Sequence, residues 1–445
     1  MTSSTGSARK HADPQAETFS AMYSNQVAVN FGKGLADPFI PVFARNVLQA
    51  TAVQLGWLQA FINLFPTVMQ VPWGKLSDFF RRRIPFLILG GVLSFAIYFL
   101  LVGVLDPWQF IALVAVQMFI GSMMIPTWSA LVGDVTTASN RGRVMGRFFA
   151  ASSLAGVVGT VFMIALTLGG DDKDRTVYVA PFFIAGAIGI LGSLELFRVK
   201  EQKSRVYASP KTLFKFGLRS FIFIDDLTEN SYFRNLVVLN TTFNFIMSLI
   251  WPLLYLTYIE VLHASILEIG VMIVIEKGAT LFFQTKVGKL LDVIGPMPQI
   301  LISRFAFISV PIVYALATDV WHIYALNAAL GFATAMANVA FFAYIMDVAP
   351  QEKTGAYFAV YNTMIGIFTF IGSIIGGYLG YYFLEYYGGN WILGLGAVYV
   401  ISAFGRAACS IWFLKLKDPV KYPMTLTQVI RSTLRRWRSS RWLPI

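Results

Sequence analysis

Twelve runs of about twenty or more mostly apolar residues, at 22–44, 52–76, 84–105, 108–131, 144–168, 178–197, 235–258, 266–290, 297–318, 321–346, 355–383 and 389–414, leave this chain few folds to choose from. An α-helix needs ~20 residues to cross a hydrocarbon core ~30 Å thick. Lipid offers no hydrogen-bond partners, so every backbone N–H and C=O must be satisfied within the protein, and only helices and closed barrels can span. A barrel would show segments of about ten residues alternating apolar with polar, whereas these runs are longer and do not alternate. The expected fold is an all-α integral membrane protein with twelve transmembrane helices. A composition of 56% hydrophobic and 13% charged residues agrees.

The cations orient it. An even number of spans puts both termini on one side, and assigning that side to the cytosol places 28 of the 35 Lys and Arg residues inside. Only Arg45, Lys173 and Arg175 fall outside, while Lys33, Lys277, Arg304 and Arg406 lie within spans. Cytoplasmic loops carry the Lys and Arg excess, so the arrangement is N-in, C-in. The net charge of +12 therefore marks a membrane face, not a nucleic-acid surface.

The longest polar stretch, 198–234, divides the spans six and six. The expected organisation is a disordered cytosolic tail over 1–21 with no signal-peptide pattern, six-helix bundles over 22–197 and 235–414, an amphipathic cytosolic linker between them, and a basic amphipathic tail over 415–445.

The halves are copies. At an offset of 214, Asn30 meets Asn244, Pro38 meets Pro252, Gly56 meets Gly270, Gly74 meets Gly288 and Asp78 meets Asp292. At 213, Pro85 meets Pro298, Asp106 meets Asp319, Asp134 meets Asp347, Gly142 meets Gly355 and Gly159 meets Gly372. Parallel repeats of this kind are related by an axis along the membrane normal and hold their site between halves near the midplane.

The segment "GKLSDFFRRR" after span two, its partner "GKLLDVIG" after span eight and "GDVTTASNRGRVMG" after span four, together with the duplicated six spans, resemble the major facilitator superfamily over residues 20–415. The resemblance implies two pseudo-symmetric six-helix bundles that rock about a central cavity lined by the first helix of each three-helix unit. It implies a cytosolic gate at Gly74, Asp78, Arg82, Arg83, Asp134, Arg141, Gly142, Gly288 and Asp292, and a monomer. Phe79 and Arg81 depart from the family pattern, which has a basic residue and a glycine there. Physically, Gly74 permits close helix approach and Asp78 is suited to the positive N-terminal end of a helix in the other half, a latch that closes the cytosolic side.

Polar residues inside the spans mark the candidate site. Gln26, Asn30, Lys33 and Asp37 fall on one face of span one. Asn240 and Asn244 repeat the pattern in span seven, and Asn327, Gly331, Thr334 and Asn338 in span ten. An isolated charge at bilayer depth costs at least ~3 kcal/mol, so Lys33 and Asp37 should face each other or water. Glu276 and Lys277 are also midplane charges; neighbours on a helix diverge by ~100°, so both are not expected to point into one cavity. Arg304, about seven residues into span nine, is expected to snorkel to the cytosolic interface. Arg406, deeper and on a face with Ser402 and Cys409, is expected to be buried against protein.

Nucleotide motifs, metal clusters and catalytic constellations are not evident: His11, His263 and His322 are terminal or near loops, and Cys409 is the only cysteine. The expected protein is not an enzyme. It is expected to be a plasma-membrane secondary transporter of a small organic solute, anionic or zwitterionic by virtue of Lys33 and Lys277, with no cofactor beyond a coupling ion, H+, and with membrane lipids around it. Drug efflux and lipid or lipid-linked sugar flipping are alternatives within the same fold. Span five lacks the proline and following glycines of the family's antiporter signature after Gly156 and Gly159.

Overall fold

The computed structural model describes residues 14–136, 141–199, 230–350 and 353–418, with 420, 422 and 428. The amphipathic readings of the linker and of the basic tail lie outside these residues. Among the described residues all regular structure is helical, and each of the twelve predicted ranges contains helix. Nine helical segments among the described residues are long and apolar enough to cross a membrane. The predicted spans beyond those nine are one, two and eight, which carry most of the polar groups in question.

Span one starts earlier than its apolar run. Its helix covers Pro14–Ala36, inside the stretch expected to be a disordered tail. Glu17 near its start complements the helix dipole.

Capping repeats as the sequence does. Thr51 opens Ala52–Val68 with a capping box to Gln54, and Ser265, 214 residues on, opens Ile266–Ile294 with a capping box to Glu268. Asp106 caps Pro107–Gly121 through the Gln109 N–H, and Asp319 caps Val320–Val348 through the Trp321 N–H. Pro38 and Pro252 sit at equivalent breaks: Pro14–Ala36 gives way to the 3-10 turn Asp37–Phe39 before Ile40–Asn46, and Ser231–Ser248 ends before Trp251–Leu256.

Glycines let the first and fifth helices of each half touch backbone to backbone. Gly159, in Arg141–Thr167, lies against the Phe31 carbonyl, and Gly372, in Thr354–Tyr386, lies against the carbonyl of Phe245, the residue equivalent to Phe31. Between halves, Gly56 of span two meets Gly377 of span eleven, where a Cβ would stand 3.0 Å from the opposing Cα.

One end of the molecule is sealed across the halves. Arg45 Nη2 lies 2.6 Å from Glu260 Oε1, and the same guanidinium sits 5.3 Å from the Trp391 ring centroid. The Ile266 N–H, at the start of span eight, donates to Asp172 Oδ2 at 2.8 Å. The opposite end, which carries the glycine–lysine motifs, is looser: a Cβ on Gly133, Gly146, Gly288 or Gly355 would meet nothing within 4 Å.

Candidate functional site

Span one, span five and span eight enclose a cavity of about 520 Å³ between the halves. Gln26, Asn30, Lys33 and Asp37 line it from one half; Glu276 and Lys277 line it from the other. The stripe on span one faces this space. Gln26 Oε1 accepts from Asn30 Nδ2 at 3.2 Å and from Ser152 Oγ on span five at 2.9 Å, which fixes the amide as an acceptor. Asn30 also donates to the Gln26 carbonyl at 2.8 Å, and its repeat partner Asn244 donates to the Asn240 carbonyl at 2.7 Å.

Asp37 sits where the first helix breaks. Its Oδ1 accepts from the Tyr98 hydroxyl, and Lys33, Asp37, Tyr98 and Gln117 share a smaller cavity of about 260 Å³ deeper in the N-terminal half. Lys33 and Asp37 are not within ion-pair distance; Asp37 lies in the electrostatic reach of both Lys33 and Lys277. Tyr98 and Ser152 escape a sequence reading because uncharged hydroxyls are common in apolar helices, where they can bond to their own backbone, and so do not announce a site.

The expectation for span eight needs correction. Glu276 and Lys277 both line the same cavity despite their angular divergence, because with Thr280, Leu281 and Gln284 they form one helical face about 140° wide, broad enough to take in two adjacent residues. Glu276 also borders a second cavity, of about 780 Å³, inside the C-terminal half. That cavity collects Asn240, Asn244, Asn327 and Asn338. Asn240 Nδ2 donates to the Tyr361 hydroxyl at 2.6 Å, and Asn327 Nδ2 to the Met272 carbonyl at 3.1 Å.

Arg304 also lines this second cavity, and it does not snorkel. It is 4% exposed, with its guanidinium carbon 4.4 Å from the ring centroids of both Phe243 and Phe341. Counting residues from the helix end misplaced it because depth along the helix says nothing of which way the side chain points; here aromatic faces, which attract a desolvated cation, hold it inside. Arg406 is buried as expected, donating to Ser402 Oγ and to the Phe307 and Met247 carbonyls at 3.1, 2.8 and 3.3 Å. Those carbonyls lie at the breaks of spans nine and seven, where helix ends leave acceptors free.

The proposed gate residues separate. Arg83, 3% exposed, lies 2.5 Å from Asp78 and 3.6 Å from Asp134 and donates to Ser77 Oγ at 2.7 Å, tying spans two, three and four together. Among the described residues, Asp78 thus pairs with a cation of its own half. Gly74 packs toward Pro126, Arg82 and Asp292 are exposed, and Gly288 faces open space. Arg141 and Gly142 begin the fifth-span helix, and their side chains lie outside the described residues.

Burial raises two carboxylates outside the spans. Burial pushes Asp418 up to about 6, the Met297 N–H opposing and Asp347 adding to the shift. Burial likewise raises Asp172, against the Ile266 N–H.

The model of the Major Facilitator Superfamily matches residues 22–373 and again 236–442. The chain is 27% identical over 375 residues to an uncharacterised MFS-type transporter of Methanocaldococcus jannaschii, covering 84% of this chain and 91% of that one. It is 30% identical over 171 residues to multidrug resistance protein MdtG of Serratia proteamaculans, covering 37% of this chain and 39% of that one. A bacterial homologue of the human lysosomal transporter Spinster, solved inward-facing and unoccupied, superposes with a TM-score of 0.68 at 15% identity, covering 91% of this chain and 99% of that one. With a family match over most of its length, a sequence that repeats itself across two halves and a cavity between them, the chain belongs to the Major Facilitator Superfamily.

Proposed function

We propose that this protein is a secondary transporter that moves a small organic solute by alternating access, coupled to protons through Asp37 and Glu276. The observation that carries the reading is the cavity between the halves, lined by Lys33, Asp37, Glu276 and Lys277. A carboxylate and an amine at bilayer depth are costly to keep charged unless they serve a hydrated path. Asp37 and Glu276 stand on opposite halves, so a rocking motion changes the separation and hydration of both, and hydration governs proton affinity. The energy source is then a gradient. The positive-inside rule puts both termini and the glycine–lysine motifs in the cytosol of a twelve-span protein, so the end sealed by Arg45 and Glu260 faces outward and the arrangement is open inward.

Solute-driven proton movement in proteoliposomes tests this. A panel of organic acids, amino acids, sugars and nucleosides is added outside vesicles holding a pH-sensitive dye. At least one class should move protons with the wild-type protein and fail to do so with Asp37→Asn or Glu276→Gln. Solute uptake with the same proton movement in both variants contradicts the coupling proposal.

Drug efflux is the second reading, supported by the partial likeness to multidrug resistance protein MdtG. Extrusion of a lipophilic cationic dye that organic anions leave unaffected would favour it.

A further inference from the structure

The two cavities differ in charge. Lys33 and Lys277 are balanced by Asp37 and Glu276 around the inter-half space, whereas the C-terminal cavity sets two guanidinium groups, Arg304 and Arg406, within electrostatic reach of each other, against the one carboxylate of Glu276 at its border. Neither has a carboxylate within ion-pair distance among the described residues. Their surroundings are unequal. Arg406 has its donors satisfied by a serine hydroxyl and two carbonyls at helix breaks. Arg304 is held by ring faces alone: Phe243 and Phe341 flank it, and its Nε is buried with no hydrogen-bond partner. A ring face attracts a cation but accepts no ordinary hydrogen bond, so the planar donor fork of Arg304 is pre-positioned with donor capacity unspent.

The repeat makes the same point. At the 213 offset Arg304 stands opposite Gly91, whose Cα packs against the Ser193 side chain; the Arg304 carbonyl accepts from Ser410 Oγ on the corresponding last helix. The N-terminal half closes this place with small residues and the C-terminal half fills it with an arginine that opens onto a cavity.

Resting on the transporter reading and sharpening it, we propose that Arg304 is the receptor for an oxyanion of the solute, a carboxylate or phosphate, whose apolar or aromatic body lies against Phe342, Phe358 and Tyr361. A guanidinium fork suits a two-oxygen acceptor, and such charge-assisted pairs are strong where water is excluded. Asn240, whose Oδ1 is buried and unpartnered while its amide is held by Tyr361, borders the same space and can accept from a hydroxyl or amine on the solute.

The test uses the purified full-length protein and four probes of one shape: benzoate, phenyl phosphate, benzyl alcohol and benzylamine. Benzoate or phenyl phosphate should raise the melting temperature saturably, and which of the two acts assigns the oxyanion; benzyl alcohol and benzylamine should not. Arg304→Gln should raise the half-saturating concentration at least about tenfold, the size of one charge-assisted hydrogen bond, and Arg304→Lys should restore part of it. Should Arg304→Gln fail to fold, modification of the wild type by phenylglyoxal reads the same contact: the stabilising anion should protect Arg304 and leave exposed Arg82 reactive. Unchanged anion response in Arg304→Gln, stabilisation by neither anion, or no protection of Arg304 would overturn the assignment. Stabilisation by benzylamine alone would overturn it too, while proton-coupled uptake in vesicles would still stand or fall on its own assay.

Discussion

Arg45, at the end of the first span, and Glu260, at the end of the seventh, form the ion pair that closes one mouth of the cavity across the two halves, at 2.6 Å and with both side chains partly buried. Removing either partner should favour the state open at this end. Arg45→Ala and Glu260→Gln should each make a cysteine at Gln54, beside this mouth, react faster with an impermeant thiol reagent. The swap of Arg45→Glu with Glu260→Arg should restore protection, with a coupling of about 1 kcal/mol in the cycle. Additive effects with no rescue would mean that the pair contributes nothing to closure.

Equivalent glycines should fail equivalently. Gly159→Val and Gly372→Val force a branched side chain onto the Phe31 and Phe245 carbonyls, and each should destabilise the purified protein by about 1–3 kcal/mol or more. Gly288→Ala, where a Cβ meets nothing, should leave the melting temperature unchanged within a degree or so of error. Thermal denaturation of the three variants decides it.

Tyr98→Phe removes the hydroxyl that holds Asp37 and little else. Melting should change by only about 1 kcal/mol, while proton-coupled uptake should fall several-fold, the carboxylate having lost its fixed orientation. Equal loss of stability and activity would assign Tyr98 a purely structural role.

Asp418 gives a pH dependence outside the membrane. Its value of about 6 stands above the ordinary 3.8, so between those values the folded chain keeps a proton that the unfolded chain releases. The stabilisation is complete below about 4 and is lost as pH rises through about 6. Melting temperature should therefore fall from pH 5 to 7 in the wild type and fall less in Asp418→Asn, which should also be the more stable protein at pH 7. A parallel pH profile in the variant would exclude Asp418 as the source.

Much of this was legible in the residues, for identifiable reasons. Span positions follow from the length of apolar runs, and the repeat follows from caps and breaks that a copied backbone needs twice, such as Thr51 and Ser265 or Pro38 and Pro252. The stripe of Gln26, Asn30, Lys33 and Asp37 was readable because four polar groups on one helical face cannot meet lipid. Arg304 was not, because a lone cation near a helix end carries no periodicity and its direction depends on Phe243 and Phe341 from other helices. The partner of Asp78 was equally hidden: Arg83 reaches it only because a left-handed Arg81, with φ of 53°, turns the chain back after the second span.

Everything rests on the charged groups of spans one and eight bordering a water-filled path between the halves. With Cys409 replaced by serine, single cysteines at Lys33, Glu276 and Lys277 should react with a membrane-impermeant cationic thiol reagent applied from the side that carries the glycine–lysine motifs, while a cysteine at Leu89, on the outer surface of span three, should not. Silence at all three cavity positions from either side would contradict the account.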